Sequence, residues 1–221
     1  MSGFQWDWGF AWSIVPQLAE GVVVTVIATA LGSALALTLG LLWAFMRIAQ
    51  VRIVSPAVWL LVEFIRGTPL LIQLYFLFYV LPTWGLTVSA LATGVIGLGL
   101  FFSAYTAEIY RAGIEDLPTG QWEAALTLGL PVRRAWLGII LPQAVRAVLP
   151  MLGNVVISMF KQTALLSTIT VLELLAQGRS IGQMTYRFVE PLTLVGIFYF
   201  VVSYAAARAL RALEAKDEIR A

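Results

Sequence analysis

The chain has no cysteine and no histidine. That double absence removes disulfides, thiolate or imidazole metal sites, cysteine nucleophiles and histidine general bases in one step. Charge is scarce too: 12% of the 221 residues are Asp, Glu, Lys or Arg, roughly half the share of a soluble domain. Placement matters more than amount. No charged residue occurs between Glu20 and Arg47, between Arg66 and Glu108, or between Glu190 and Arg208. A bilayer-spanning helix needs about 20 mostly apolar residues, and each gap can supply at least one. With 60% of the chain hydrophobic, too little polar surface remains to bury so many helices in a soluble fold. No Gly-x-x-x-x-Gly-Lys-Ser/Thr loop is present, so the chain does not itself hold ATP in the P-loop manner. The N-terminus shows neither a basic n-region nor an Ala-x-Ala site, and no removable signal peptide is expected. The small basic excess reports sidedness in a membrane protein rather than nucleic-acid binding.

What is present reads as about five spans: residues 18–46, 55–81, 88–110, 145–166 and 191–207. The first carries Gly32, Ala36 and Gly40 at spacing four, a small-residue stripe where another helix can approach closely. Upstream, Trp6, Trp8 and Trp12 suit a membrane–water interface. The second opens at Ser55-Pro56, a cap followed by an N1 proline, and carries Glu63, Arg66, Gly67, Thr68 and Pro69 within it. Gly94, Gly97 and Gly99 in the third are packing residues rather than fragments of a nucleotide loop. Ser167 or Thr168 caps a short helix through Leu175 that Gly178 ends, and an amphiphilic tail follows Arg208. Arg47, Arg52, Arg111, Arg133, Arg134, Arg146, Arg208, Arg211, Lys216 and Arg220 flank one face, and only Arg179 and Arg187 the other. The positive-inside rule therefore puts the N-terminus outside and the C-terminus in the cytoplasm. The chain is thus expected to be one all-α integral membrane domain with residues 115–142 as a cytoplasmic loop.

That loop has its own logic. Thr119 is a plausible N-cap, residues 121–128 are good helix formers, Gly129 suits a C′ position, and Pro131 starts a second short helix. Trp122, Ala125 and Leu126 would form a compact apolar knob with Glu123 beside it. Pattern alone leaves two readings open, an ordinary interfacial loop or a knob for a partner's groove.

The segment resembles the coupling motif of ABC-importer permeases: Glu-Ala-Ala, three residues, Gly, nine residues, Ile-x-Leu-Pro. Glu123, Ala124, Ala125, Gly129, Ile139, Leu141 and Pro142 occupy all its fixed positions. Residues 63–71, 107–111, 121–122 and 160–163 resemble segments of the polar amino-acid uptake subfamily. Residues 165–174 and 190–196 look like those of ectoine/hydroxyectoine importer permeases. Gln162 and Ala164 depart from the pattern, which has an acidic residue at the first position and proline or serine at the second. The resemblance implies that residues 123–129, with Trp122, dock into a cleft of an ATP-hydrolysing subunit. It further implies a dimer of such ATPases holding ATP and Mg, a second identical or related permease, and a periplasmic or lipid-anchored solute-binding protein. The solute would be a small polar amino acid or an amino-acid-like compatible solute, moved across the bacterial inner membrane by alternating access. No cofactor and no covalent chemistry are expected in this chain. The alternative, an ion-coupled secondary transporter of amino acids, would favour inverted internal repeats, and none is convincing between the halves.

The intramembrane charges can be read without the family, because an ionisable group in hydrocarbon must pair or face water. Glu63 with Arg66, and Glu108 with Arg111, stand three apart and can pair along a helix. Gly67-Thr68-Pro69 would break the helix beside the first pair and free polar groups that need protein or a wet cavity. Lys161 lies about 13 residues past Val148, or roughly 20 Å into the bilayer at 1.5 Å per residue. It could snorkel, pair with Glu63 or Glu173, or line the solute path. Glu63, Arg66, Thr68, Lys161, Gln162 and Thr163 are accordingly the path candidates.

Overall fold

Every regular element among the described residues, 5–218, is helical in the computed structural model. Arg220 and the side chain of Lys216, both counted for sidedness, lie outside what is described. Among the described residues four helical runs are long and apolar enough to cross a membrane: Val15–Ile48 (α2), Ala90–Glu115 (α5), Val132–Ile169 and Val189–Ala212, the last belonging to α10 (Val189–Glu218). A short α1 (Trp8–Ser13), capped by the Asp7 carboxylate on the Phe10 N–H, precedes them. Its Trp8 and Trp12 are exposed, as an interfacial position requires.

The central contact is α2 against α5, and small residues make it possible. A Cβ on Gly40 would collide with Thr106 Oγ1, whose hydroxyl donates to the Ala36 carbonyl at 2.8 Å. Backbones that close let a threonine stitch one helix to the other. Gly94, Gly97 and Gly99 receive Leu166, Leu74 and Leu35 respectively, so they are packing residues. Around this seam Ala28, Ala36, Leu74, Leu98, Met159 and Leu166 form the main core.

The expected second span is broken rather than straight. Val54–Gly67 (α3) and the run Leu70–Trp84, which opens with α4 (Leu70–Tyr75), meet at 101°. Pro69 has no N–H and disfavours a helical residue before it. Thr68 is accordingly extended at φ −110°, ψ 139°. Gln73 Nε2 then serves the freed groups, reaching Ile65 O at 2.9 Å and Thr68 Oγ1 at 2.7 Å. Ser55 does not cap α3 as expected. The helix already starts at Val54, and the Ser55 hydroxyl donates to the Arg47 carbonyl across the turn.

Two π-helical turns, Phe76–Val80 and Trp136–Ile140, are each followed by Leu-Pro, at Pro82 and Pro142. A proline inside a helix lacks the donor for the carbonyl four back and its ring crowds that carbonyl. Widening the preceding turn relieves the crowding. Because of the second turn, Pro131 begins no separate helix. α7 (Val132–Ala135) runs through the π turn into α8 (Leu141–Gln162), and the fourth span is longer at its start than expected.

The expected short helix capped by Ser167 or Thr168 is also replaced. Thr163–Ile169 is a 3-10 turn, and α9 runs Leu174–Thr185. Glu173 is its N-cap, accepting from the Leu175 and Ala176 N–H groups. Gly178 sits inside α9 because Val195 of α10 packs onto it.

Candidate functional site

The segment from Thr119 to Pro142 forms one folded unit. α6 (Thr119–Thr127) ends with Gly129 at φ +65°, a left-handed conformation that disfavours any side chain. Gly129 N–H donates to Leu126 O and Leu130 N–H to Ala125 O, the paired bonds of a Schellman stop. The expected Thr119 cap is not made: Thr119 is already helical, and Pro118 holds the N-cap position without a side-chain bond. Trp122 meets Trp136 edge to face at 5.4 Å, and Ala125 and Ala135 are buried between the two arms. Gln143 Nε2 donates to Ile139 O at 3.0 Å.

This geometry corrects the expected knob. Trp122 and Ala125 face inward and hold α6 in place. The surface offered outward is Glu123, Ala124, Leu126 (66% exposed) and Leu128 (75% exposed). Of the remaining motif positions, Ile139 and Leu141 are half-buried and Pro142 is exposed. Two exposed leucines at the tip of a tightly stopped helix are an apolar face that none of the described residues covers.

The path candidates do not form one cluster. Glu63 and Arg66 pair at 3.1 Å, and both are substantially exposed. Arg66 also lies 4.0 Å from Glu108 and stacks over the Tyr105 ring. Glu108 in turn binds Arg111 at 2.9 Å and pairs closely with Arg47, in the last turn of α2. Glu108 is therefore the hub for three arginines from three helices, gathered toward the α2 and α5 ends, and Glu63 sits at its rim. Long side chains reaching a shared carboxylate satisfy these charges without stranding any in hydrocarbon. Thr68 belongs to the helix break, donating to Phe64 O at 3.0 Å.

Around α8 the candidates divide. Lys161 and Gln162 are exposed, and neither makes an ion pair or side-chain hydrogen bond among the described residues. Lys161 thus pairs with neither Glu63 nor Glu173. Thr163 is fully buried and donates to Phe160 O at 2.6 Å. It lies 3.4 Å from Tyr199 Oη, which donates to Glu173 at 2.8 Å. Glu173 is itself fully buried, and Thr25 Oγ1 accepts from Leu174 N–H. One carboxylate thereby ties α9, α10 and the 3-10 turn together, and its hydrogen-bond donors among the described residues are all neutral.

Sequence reasoning missed the parts played by Arg47 at the Glu108 hub, Gln73 at the helix break, and Glu173 with Tyr199 between α9 and α10. For Glu173 no capping signal existed, because the preferred N-cap residues are Ser, Thr, Asp and Asn, whose shorter side chains reach the first N–H groups more readily. The pairings of Arg47 and Tyr199 span 61 and 26 residues, and nothing local announces them. At the opposite end from the Glu108 hub, Arg187 bonds the buried Glu190 and stacks over Phe10. That hydrogen bond raises the Arg187 guanidinium above its ordinary range.

About five candidate spans, with a tightly stopped helix between two of them, define a helical integral membrane protein. The family model described as binding-protein-dependent transport system inner membrane component matches residues 36–216. The chain belongs to that family and is an inner-membrane permease component. It is 41% identical to the probable amino-acid ABC transporter permease protein y4tG of Sinorhizobium fredii, over 96% of this chain and 94% of that one. It is 35% identical to the glutamine transport system permease protein GlnP of Escherichia coli, over 97% and 99%. A crystal structure of an amino acid ABC transporter with histidines superposes with TM-score 0.92 at 34% identity, covering 96% of this chain and all of that one. The MetNI methionine ABC transporter in inward-facing form, at 19% identity and TM-score 0.66, shares the fold.

Proposed function

We propose that this chain is the permease subunit of an importer for polar amino acids or amino-acid-like compatible solutes, powered by a separate ATP-hydrolysing subunit. The observation that carries the reading is α6: a rigidly stopped helix presenting Glu123, Ala124, Leu126 and Leu128 outward, at the positions of the coupling motif. Leu126 and Leu128 would enter an apolar groove on the ATPase. Trp122 on Trp136 would pass the resulting push into α7 and α8 without slack. The N-terminus lies outside and the C-terminus in the cytoplasm, so α6 meets an ATPase dimer that holds ATP and Mg. A second permease, identical or homologous, completes a path along the pseudo-two-fold interface, and a periplasmic or lipid-anchored binding protein delivers solute to it. Closure of the ATPases draws the two docking helices together, and alternating access follows.

The relatives' names support an amino acid as solute. Ectoine or hydroxyectoine is the specific candidate supported by residues 165–174 and 190–196. Lys161, exposed at the end of α8 with Gln162 beside it, would meet the solute's carboxylate. No observation favours an ion-coupled mechanism. The test is reconstitution of the permease with its ATPase and binding protein in proteoliposomes. ATP-dependent uptake of a radiolabelled amino acid, with no response to an imposed proton or sodium gradient, supports the reading. Uptake driven by such a gradient without ATP would overturn it.

A further inference from the structure

At the end of the molecule that carries the Glu108 hub, α2, α3 and α5 flank an open surface cleft of about 400 Å³. Arg47, Gln50, Ser55, Trp59, Arg111 and Glu115 line it. The turn from α2 to α3 forms one wall, and Gln50 holds that turn in the left-handed region at φ 52°. A connection between two membrane helices lies at the bilayer surface, so the cleft opens at headgroup level. Trp59 suits that level. From it an exposed apolar stripe of Ile53, Leu60 and Phe64 runs along α3 at spacings of seven and four.

The polar lining has unspent capacity of two signs. A guanidinium offers five donors, and Arg47 uses one nitrogen, Nη1, on Glu108. Its Nε and Nη2 have no partner among the described residues, yet neither is sealed inside the protein. The side chain is only 13% exposed, so these donors open to little besides the cleft. A cation sheltered to that degree favours a charged acceptor, and an Nε/Nη2 edge fits two oxygens of a phosphate. Arg111 commits Nε and Nη2 to Glu108 and Nη1 to Glu115. Glu115 takes that bond on Oε2, and its Oε1 has no partner among the described residues, with the side chain 54% exposed.

We propose that this cleft binds the headgroup of a zwitterionic phospholipid bearing a primary ammonium, phosphatidylethanolamine by chemistry. The phosphate sits on the free edge of Arg47. The ammonium donates to Glu115, and the acyl chains follow Ile53, Leu60 and Phe64 on the lipid-facing side of α3. A trimethylammonium headgroup has no N–H for Glu115, and a glycerol headgroup brings no cation. The lining therefore discriminates among headgroups, not merely for phosphate.

The test is native mass spectrometry of the full-length protein in detergent, with phosphatidylethanolamine, phosphatidylcholine and phosphatidylglycerol added at equal concentration. The ethanolamine lipid should be retained roughly fivefold over the other two, the upper range for one exposed ion pair. Glu115→Gln should bring retention of the ethanolamine lipid down to that of phosphatidylcholine. Trp59→Ala, also at an exposed site, should lower retention of all three. Size-exclusion profiles matching the wild type keep either variant interpretable. Equal retention of the three lipids by the wild type, or an undiminished ethanolamine preference in Glu115→Gln, overturns the proposal. Displacement of the lipid by millimolar inorganic phosphate also overturns it and assigns the Arg47 edge to a free anion.

Discussion

The segment proposed to dock and the intramembrane polar groups are built on opposite plans. From Thr119 to Pro142, every functional position lies within one short stretch, and local chemistry fixes its shape: a glycine stop, a tryptophan pair, a proline-widened turn. The polar groups of the membrane core are instead assembled from several helices, and Glu108 and Glu173 each add to their near neighbours a partner far away in sequence, Arg47 and Tyr199. Even these divide into two kinds. Glu108 is balanced by arginines, whereas Glu173 is held by a hydroxyl and two backbone N–H groups. A transmission element can be compact because it has to stay rigid while a partner pushes it. Groups that hold spans together must reach across the bundle.

This contrast can be broken experimentally. Glu173→Leu removes the α9 cap and takes from the half-buried Tyr199 hydroxyl its good acceptor, leaving only a 3.4 Å contact with Thr163 Oγ1. Loss of a cap and of that acceptor together should cost about 2–4 kcal/mol. Glu173→Gln keeps an acceptor and should lose less than half as much. Thermal unfolding in detergent, followed by tryptophan fluorescence, measures both; equal loss for the two variants would mean that charge, not hydrogen bonding, matters at this site. Glu108→Gln leaves three arginines facing one another, and the half-exposed hub makes the expected cost smaller, about 1–3 kcal/mol. Its signature is salt dependence: part of the loss should be recovered as ionic strength rises, which the Glu173 variants should not show.

Smaller effects sharpen the division around α8. Lys161→Met removes a cation without a protein partner, so unfolding should move by less than about 0.5 kcal/mol. Uptake should fall several-fold while the ATPase still co-purifies. Unchanged uptake kinetics would take Lys161 out of the solute path. Glu63→Gln should matter least. An exposed pair three apart on a helix contributes about 0.2–0.5 kcal/mol, and Arg66 retains Glu108 nearby.

The same contrast explains what the sequence could disclose. The helical membrane architecture, the close-packing glycines of α2 and α5, and the Gly129 stop follow from apolar run length, spacing and backbone freedom, which are local properties. The break at Thr68-Pro69 was legible as a kink, but at its 101° angle the Ile65 and Thr68 carbonyls are served by Gln73 Nε2. The orientation of Trp122 was not legible. Periodicity gives an apolar face of α6 without saying that Trp136, on the next arm, takes part of it. The Glu108 hub escaped for a similar reason. Its nearest sequence partner, Arg111, satisfied the pairing rule and hid the claim of Arg47 from another helix.

The central claim is that α6 couples this permease to an ATP-hydrolysing partner through its outward face. Glu123→Arg and Gly129→Arg test it most directly, in a permease–ATPase complex carried on an affinity tag. Neither side chain holds α6 to the rest of the chain, and a non-glycine at the Gly129 φ costs about 1–2 kcal/mol. Both variants should therefore still fold and reach the membrane. The expected result is at least tenfold less ATPase recovered with the permease, with ATP-driven uptake lost in parallel. Full recovery of the ATPase and undiminished uptake in both variants would contradict it.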